Sequence, residues 1–332
     1  MQPGTTQQRF TLIDAQVDSH PVTFAQEVKT GLTSSPKSLP CRYLYDKEGS
    51  QLFEEICQLP EYYPTRAETQ ILQDRAAEIA AQFSEAISLV ELGSGSAVKT
   101  RILMEALLRR HGKLRYVPVD VSRTILEESS RILLQDYPSL EIIAIAGEYH
   151  HGFPHLKAQS DRRKLILWLG GTLGNMERPE AVRFLRVLRD TMSPGDLLLI
   201  GVDLRKDRAV LEKAYDDPQG VTSRFNRNIL ARINRELNGN FDLDTFRYSV
   251  IYNEKAGRVE MCLVSEQAQQ VSIEKLGMEV SFEAEEAIYT ENSYKYSLPE
   301  IQALAADAGL RVEQQWLDDG SRFSSNLLAP SS

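Results

Sequence analysis

Long apolar runs are missing from this chain of 332 residues. The longest, such as 197–202, are far too short to span a bilayer, so no membrane partner is expected. Residues 1–11 are polar and carry no apolar signal core, which gives no support to secretion. Cysteine is scarce: Cys41, Cys57 and Cys262 are odd in number, scattered and framed by no motif. They read as reduced packing residues of a cytosolic, cytoplasmic protein rather than as a disulfide framework. No basic block or arginine-rich stripe exists and the formal net charge is −9, which speaks against nucleic acid as a partner. Internal repeats, low-complexity tracts and any long apolar interface stripe are also absent, and the last of these is compatible with a monomer. What remains is an ordinary soluble composition, 42% hydrophobic and 26% charged, long enough for one large or two modest domains.

The densest information lies in 87–100, ISLVELGSGSAVKT, and 116–122, YVPVDVS. An apolar run carries an acid near its end, Glu91. A turn with Gly93 and Gly95 follows, then a helix expected over 97–111. A second apolar run ends in Asp120, with Ser122 placed to cap the next helix. This is the pattern of an open α/β sheet that holds a nucleoside at the carboxyl ends of its first two strands. GSGS is not GxGxxG; Thr100 stands near the place of the third glycine, which weakens a nicotinamide reading. A short GxG behind an acid suits a ligand without phosphate, and adenosylmethionine and other nucleosides both fit at this level. Asp120 can grip ribose hydroxyls or merely end a strand. Lys99, electrostatically poor in a first helical turn, can reach a ligand carboxylate or simply be solvated.

Strands are expected near 87–92, 115–120, 141–146, 164–169 and 196–202, with helices near 97–111, 123–135 and 178–192. That alternation predicts a parallel sheet covered on both faces. Residues 1–40 read as polar and loop-rich. The segment 43–66 is rich in aromatics, with helical spacing at Leu52, Phe53, Ile56 and Leu59, and 68–83 reads as a further helix. After Asp203 the rhythm changes. A helical stretch holds Tyr215, another runs over 221–237, and strands at 245–253, 258–266 and 279–290 suggest an antiparallel meander. A helix over 298–308 and strands at 310–317 and 323–328 would rejoin the main sheet.

The third strand ends in AIAGEYHHGFPH, where Gly147, Glu148 and Tyr149 stand at the expected adenine position. His150, His151 and His155 lie in a loop with Gly152 and Pro154, without the fixed spacing and thiolate or acidic company of a metal site, so no metal is expected. The fourth strand ends in LWLGGTLGNM, which delivers Asn175 to the crevice. Asn offers both donor and acceptor, as an amino acid head group requires; capping the next helix is the other reading. Glu291 and Ser293, two apart in a strand, share a face and can satisfy both nitrogens of an imidazole, although a strand-end acid such as Glu291 can equally be solvated.

Taken together, YLYDKEGSQLFEEICQLPEYYPTRAE, ELGSGSAVKTRILM, YVPVDVS, GGTLGNM, LEKAYDDPQGVTSRFNRNIL and IYTENSYKY resemble the histidine-specific Nα-methyltransferases of ergothioneine biosynthesis, over about 14–330. The resemblance implies an α/β fold: a Rossmann-like S-adenosylmethionine-dependent methyltransferase sheet (67–205 plus 296–330). A second, α+β substrate domain would form from the N-terminal segment and an insertion (14–66 plus 206–295). It implies S-adenosylmethionine as cofactor, at Gly93, Lys99, Asp120, Glu148 and Tyr149; many relatives have Asp–Phe at the last pair. It implies histidine and its mono- and dimethylated forms as substrates, at Tyr45, Phe53, Tyr62, Asn175, Tyr215, Met261, Glu291 and Ser293. Asn175 and Tyr215 would hold the α-carboxylate, Glu291 and Ser293 would read the ring, and Tyr45, Phe53 and Tyr62 would line the amine pocket. Met261 and the aromatics also suit plain core packing. Because the reacting amine must be neutral, Tyr45 or a water on it is the expected proton relay, beside Asn175.

Overall fold

The computed structural model describes residues 9–15, 23–95, 97–158 and 161–331. The chain starts with strand β1 (Phe10–Asp14) and helix α1 (Phe24–Thr33), whose start is fixed by a capping box between Thr23 and Gln26. A two-residue strand β2 (Lys37–Ser38) precedes α2 (Lys47–Gln58), capped by the Asp46 carboxylate, which accepts from the Gly49 amide at 2.8 Å. Helix α3 (Tyr63–Ala81) begins with a proline in its first turn, where no amide partner is lost.

Regular alternation follows: β3 (Ser88–Leu92), α4 (Thr100–His111), β4 (Leu114–Asp120), α5 (Arg123–Asp136), β5 (Leu140–Ala146), α6 (Tyr149–Ala158), β6 (Lys164–Trp168), α7 (Arg178–Arg189) and β7 (Leu197–Asp203). The excursion comprises α8 (Arg208–Tyr215), α9 (Val221–Leu237), β8 (Phe246–Asn253), β9 (Arg258–Ser265), β10 (Gln269–Ile273), β11 (Met278–Phe282) and β12 (Ala287–Tyr294). The chain then returns through α10 (Leu298–Asp307), β13 (Leu310–Leu317) and β14 (Phe323–Pro330).

The main sheet has the order β1-β5-β4-β3-β6-β7-β14-β13. Its first six strands are parallel, and β14 runs antiparallel to both neighbours. Strands β3, β6 and β7 are buried along their whole length, which explains their nearly unbroken apolar sequence. The fold is thus α/β and Rossmann-like. Strand order reverses beside β3, so the crevice at the carboxyl ends of β3 and β6 is the topological switch point where such sheets bind ligands. A second sheet, β2-β12-β9-β8, stands next to it. Helix α9 buries Phe225, Ile229, Ile233 and Leu237 along one stripe. The two sheets meet where Tyr296 donates its amide to the Asp203 carbonyl at 3.1 Å and Leu204 bridges Tyr296.

Four expectations need correction. The first 40 residues are not all loop: α1 is a helix, and β1 extends the main sheet by pairing with β5. Helix α4 starts at Thr100 rather than 97, because Ala97 takes a left-handed φ of 55° that no helix accommodates. The HHGFPH segment lies in helix α6 despite Gly152 and Pro154, since burying Phe153 and Leu156 against the sheet outweighs local propensity. The stretch 279–290 is two strands, β11 and β12, and β11 forms a hairpin with β10.

Candidate active site

Gly93, just past β3, has φ +70°, and a Cβ there would lie 2.6 Å from the Tyr149 hydroxyl. Only glycine lets the turn pass so close to that phenol. Asp120, half-buried at the end of β4, accepts from the Gly95 amide at 3.2 Å and from the Ser122 amide at 2.9 Å. It therefore ties two strand-end loops together, with carboxylate lone pairs left over for donors of a ligand. Glu148 is exposed beside it. Tyr149 packs edge-on against Phe184 at 5.7 Å, and burial pushes its phenol up.

Lys99 is not a plain solvated lysine. Its ammonium pairs with the fully buried Glu68 of α3, and the same carboxylate accepts from the Gly170 amide at 2.9 Å. Glu91 faces the interior, where Thr100 and Tyr116 donate to its two oxygens; desolvation raises its pKa to about 7, against the lowering effect of those hydroxyls. These strand-end groups suit a ribose-bearing, phosphate-free ligand: an acid for hydroxyls, an open glycine backbone, and a cation already balanced by Glu68.

On the other side of the crevice, aromatic rings form a continuous wall. Tyr45 lies 5.3 Å from Phe53 and 5.2 Å from Phe225, Phe53 lies 6.3 Å from Tyr62, and Tyr62 lies 5.8 Å from Tyr215. Tyr45 keeps 38% of its surface open, yet desolvation holds its phenol well above the ordinary value. Open to solvent but deep among protein atoms is how a cavity wall looks. Tyr62 is pushed up in the same way.

Strand β12 supplies the polar side. Glu291 rises to about 7 through desolvation, opposed by the Lys295 ammonium and by a hydrogen bond from Asn175. Asn175 ends a short helical turn; α7 is entered through Glu177, so Asn175 does not cap that helix. A Cβ at Gly174 would lie 2.8 Å from the Tyr294 carbonyl, so glycine is what lets this turn press against β12. The Ser293 and Tyr215 hydroxyls are 3.1 Å apart. Met261 pairs directly with Glu291 across β9 and β12, but it is 1% exposed and packs in the core. The expected substrate residues thus gather into one cluster, with Met261 in the core beside Glu291.

Three participants escaped the sequence. Phe225 reads there as one apolar position on α9. Tyr248 donates to the Tyr215 carbonyl at 2.9 Å. Lys295 donates to the Tyr215 hydroxyl at 2.7 Å and the Ser293 hydroxyl at 2.8 Å. Its signal was available in the alternation Glu291, Ser293, Lys295, which continues one residue past the end of β12. Among the described residues no group of three His, Cys, Asp or Glu could hold a metal; the His150 side chain lies outside them.

Residues 24–330 match the model of the SAM-dependent histidine-specific methyltransferases. The chain belongs to this family. It is 44% identical to the histidine N-alpha-methyltransferase of Mycolicibacterium smegmatis, covering 93% of this chain and 96% of that protein. It is 42% identical to the enzyme of the same name from Mycobacterium tuberculosis, over 94% of this chain and 96% of that one. Ergothioneine biosynthesis protein 1 of Neurospora crassa is 34% identical over 95% of this chain, which corresponds to 36% of the larger fungal protein. Membership gives this histidine-specific methyltransferase S-adenosylmethionine as its cofactor.

Proposed function

We propose that the chain transfers three methyl groups from S-adenosylmethionine to the α-amino group of L-histidine. The product is hercynine, and the reaction is the first step of ergothioneine biosynthesis. The observation that carries this reading is the pairing of an aromatic wall with two polar couples, Glu291–Asn175 and Ser293–Tyr215, at the switch point of the sheet.

When bound, the cofactor supplies an activated methyl on a sulfonium. Asp120 would accept from its ribose, Gly93 would offer backbone, Glu148 and Tyr149 would face its adenine, and Lys99 its carboxylate. Asn175 and Tyr215 would hold the substrate carboxylate. Glu291 and Ser293 would take the two ring nitrogens, so that a side chain without them leaves polar groups unpaired. Tyr45, Phe53, Tyr62 and Phe225 exclude water and favour the growing ammonium by cation–π attraction, about 0.5–2 kcal/mol.

A free α-amino group titrates at roughly 8, so a proton must leave before attack. The raised phenol of Tyr45 stays neutral near pH 7. Tyr45 therefore serves as a hydrogen-bonding relay to water rather than as a phenolate base. The proposal assigns 14–66 with 206–295 to substrate binding and 67–205 with 296–330 to the cofactor. It includes a monomeric, cytoplasmic enzyme, with which three free cysteines agree.

Mass spectrometry after incubation with S-adenosylmethionine and an equal mixture of the twenty amino acids tests the reading. Histidine alone should gain three methyls. Modification of a different amino acid, or of none, would overturn it.

A further inference from the structure

Lys295 has no exposed surface. Its ammonium lies 2.7 Å from an Asp203 oxygen, 2.7 Å from the Tyr215 hydroxyl and 2.8 Å from the Ser293 hydroxyl. An ammonium has three protons and no lone pair, so these three acceptors use it up. Tyr215 and Ser293 can only accept from it, and each keeps its own proton for another partner. Their 3.1 Å separation lets one donate to the other. A ligand bringing two acceptors can take both protons.

We propose that Lys295, held by Asp203, is a positioning residue that fixes the hydrogen-bond polarity of the substrate pocket, turning Tyr215 and Ser293 into donors. This rests on the histidine reading above and deepens it. One wall of the pocket then donates, to a carboxylate through Tyr215 and to a ring nitrogen lone pair through Ser293. Ionised Glu291, two residues earlier on the same strand face, accepts. An imidazole fits only as the neutral tautomer whose N–H faces Glu291 and whose bare nitrogen faces Ser293. The charge count points the same way: Lys295 and Lys206 both contact Asp203, leaving one positive charge that Glu291 or a substrate carboxylate can balance.

The alternative is a pin between sheets, since Lys295 follows β12 and Asp203 ends β7. That junction, however, is already made by backbone bonds from Tyr296 to Asp203 and from Arg205 to Tyr296. Asp203 also keeps Lys206 at 2.7 Å and the Tyr63 hydroxyl at 2.8 Å without Lys295. Replacing the lysine by an apolar side chain leaves a neutral buried pair, not an orphaned charge.

The test compares Lys295→Met, Lys295→Gln and Lys206→Met in the full chain. Readouts are histidine KM and kcat, adenosylmethionine affinity by calorimetry, and melting temperature. Lys295→Met is expected to raise KM for histidine about 30-fold, with kcat within about fivefold and cofactor affinity unchanged. Lys295→Gln, which keeps N–H groups without the charge, should fall between. Lys206→Met, which loosens Asp203 but touches neither hydroxyl, should leave KM alone. A KM that stays within about threefold in either Lys295 variant would overturn the proposal. So would a pin-like result, with both lysine variants losing melting temperature and cofactor affinity together. Should Lys295→Met not fold, Lys295→Gln decides alone. A wild-type chain that fails to methylate histidine condemns the functional reading instead, and is told apart by that.

Discussion

The strand end behind the proposed cofactor crevice and the aromatic cluster each carry a glutamate raised to about 7, and desolvation is the largest cause in both. Glu91 has each oxygen taken by a hydroxyl, Thr100 on α4 and Tyr116 on β4, and it faces the packed interior. Glu291 faces Asn175, the Lys295 charge and an open aromatic wall. The same displacement therefore serves different ends. In the first case it is the cost of joining strand to helix inside the core; in the second it tunes a group that a ligand can reach. A perturbed acid becomes a site only where geometry leaves it something to bind.

The difference is sharpest when both acids are replaced. Glu291→Ala is expected to lower kcat/KM for histidine about 100-fold, as loss of a charged hydrogen bond does. It should also erode the preference for histidine over tryptophan and leave adenosylmethionine affinity alone. The pH profile sharpens this. Glu291 is ionised only above its raised pKa of about 7, so kcat/KM should climb with pH through that region. The amine and the free imidazole also titrate nearby, so the control is Glu291→Gln, in which that part of the rise should vanish. Identical profiles for wild type and Glu291→Gln would mean that Glu291 does not read the ring.

The two regions also differ in how far the sequence discloses them. The proposed cofactor side comes from strand ends close in sequence: Gly93, Asp120 and Tyr149 each stand at or shortly after the end of an apolar run, so hydrophobic rhythm locates them. The pocket draws on positions from 45 to 295. There each residue has an ordinary local explanation, and only the family resemblance assembled them. Phe225 escaped because an apolar helix position carries no local mark, and Lys295 because it stands one residue past β12, although it continues the polar alternation of Glu291 and Ser293. Strand β1 and helix α6 escaped because tertiary packing, not propensity, decides them: β1 exists by pairing with β5, and α6 by burying Phe153 and Leu156. The split of 279–290 turns on Glu285, whose φ of 65° lets the chain reverse without a glycine to announce it.

A smaller effect is expected at the cofactor end. Asp120→Ala should weaken adenosylmethionine about 10-fold or more by calorimetry. The structure adds a cost that the sequence did not suggest. The Gly95 and Ser122 amides lose their acceptor, for about 1–2 kcal/mol of stability. Asp120→Asn separates the two, because its single carbonyl oxygen can serve one amide while the negative charge is gone. Unchanged affinity in both variants would remove Asp120 from the cofactor site and leave it a loop tie.

The smallest catalytic effect belongs to Glu91→Gln, and it tests the comparison from its structural side. A folded-state pKa of about 7 against an ordinary carboxyl near 4.5 means that the folded protein holds this proton more tightly. Stability from this group is full below the unfolded value and is lost as pH rises toward about 7. Glutamine mimics the protonated acid: its oxygen can accept from one hydroxyl and its amide can donate to the other. Between pH 4.5 and 7 the wild-type chain should lose about 1–3 kcal/mol more than Glu91→Gln by denaturant titration. Histidine methylation at pH 7 should stay within about threefold. If the variant instead loses activity while its stability still follows wild type across that range, Glu91 belongs to the site, and the contrast with Glu291 collapses.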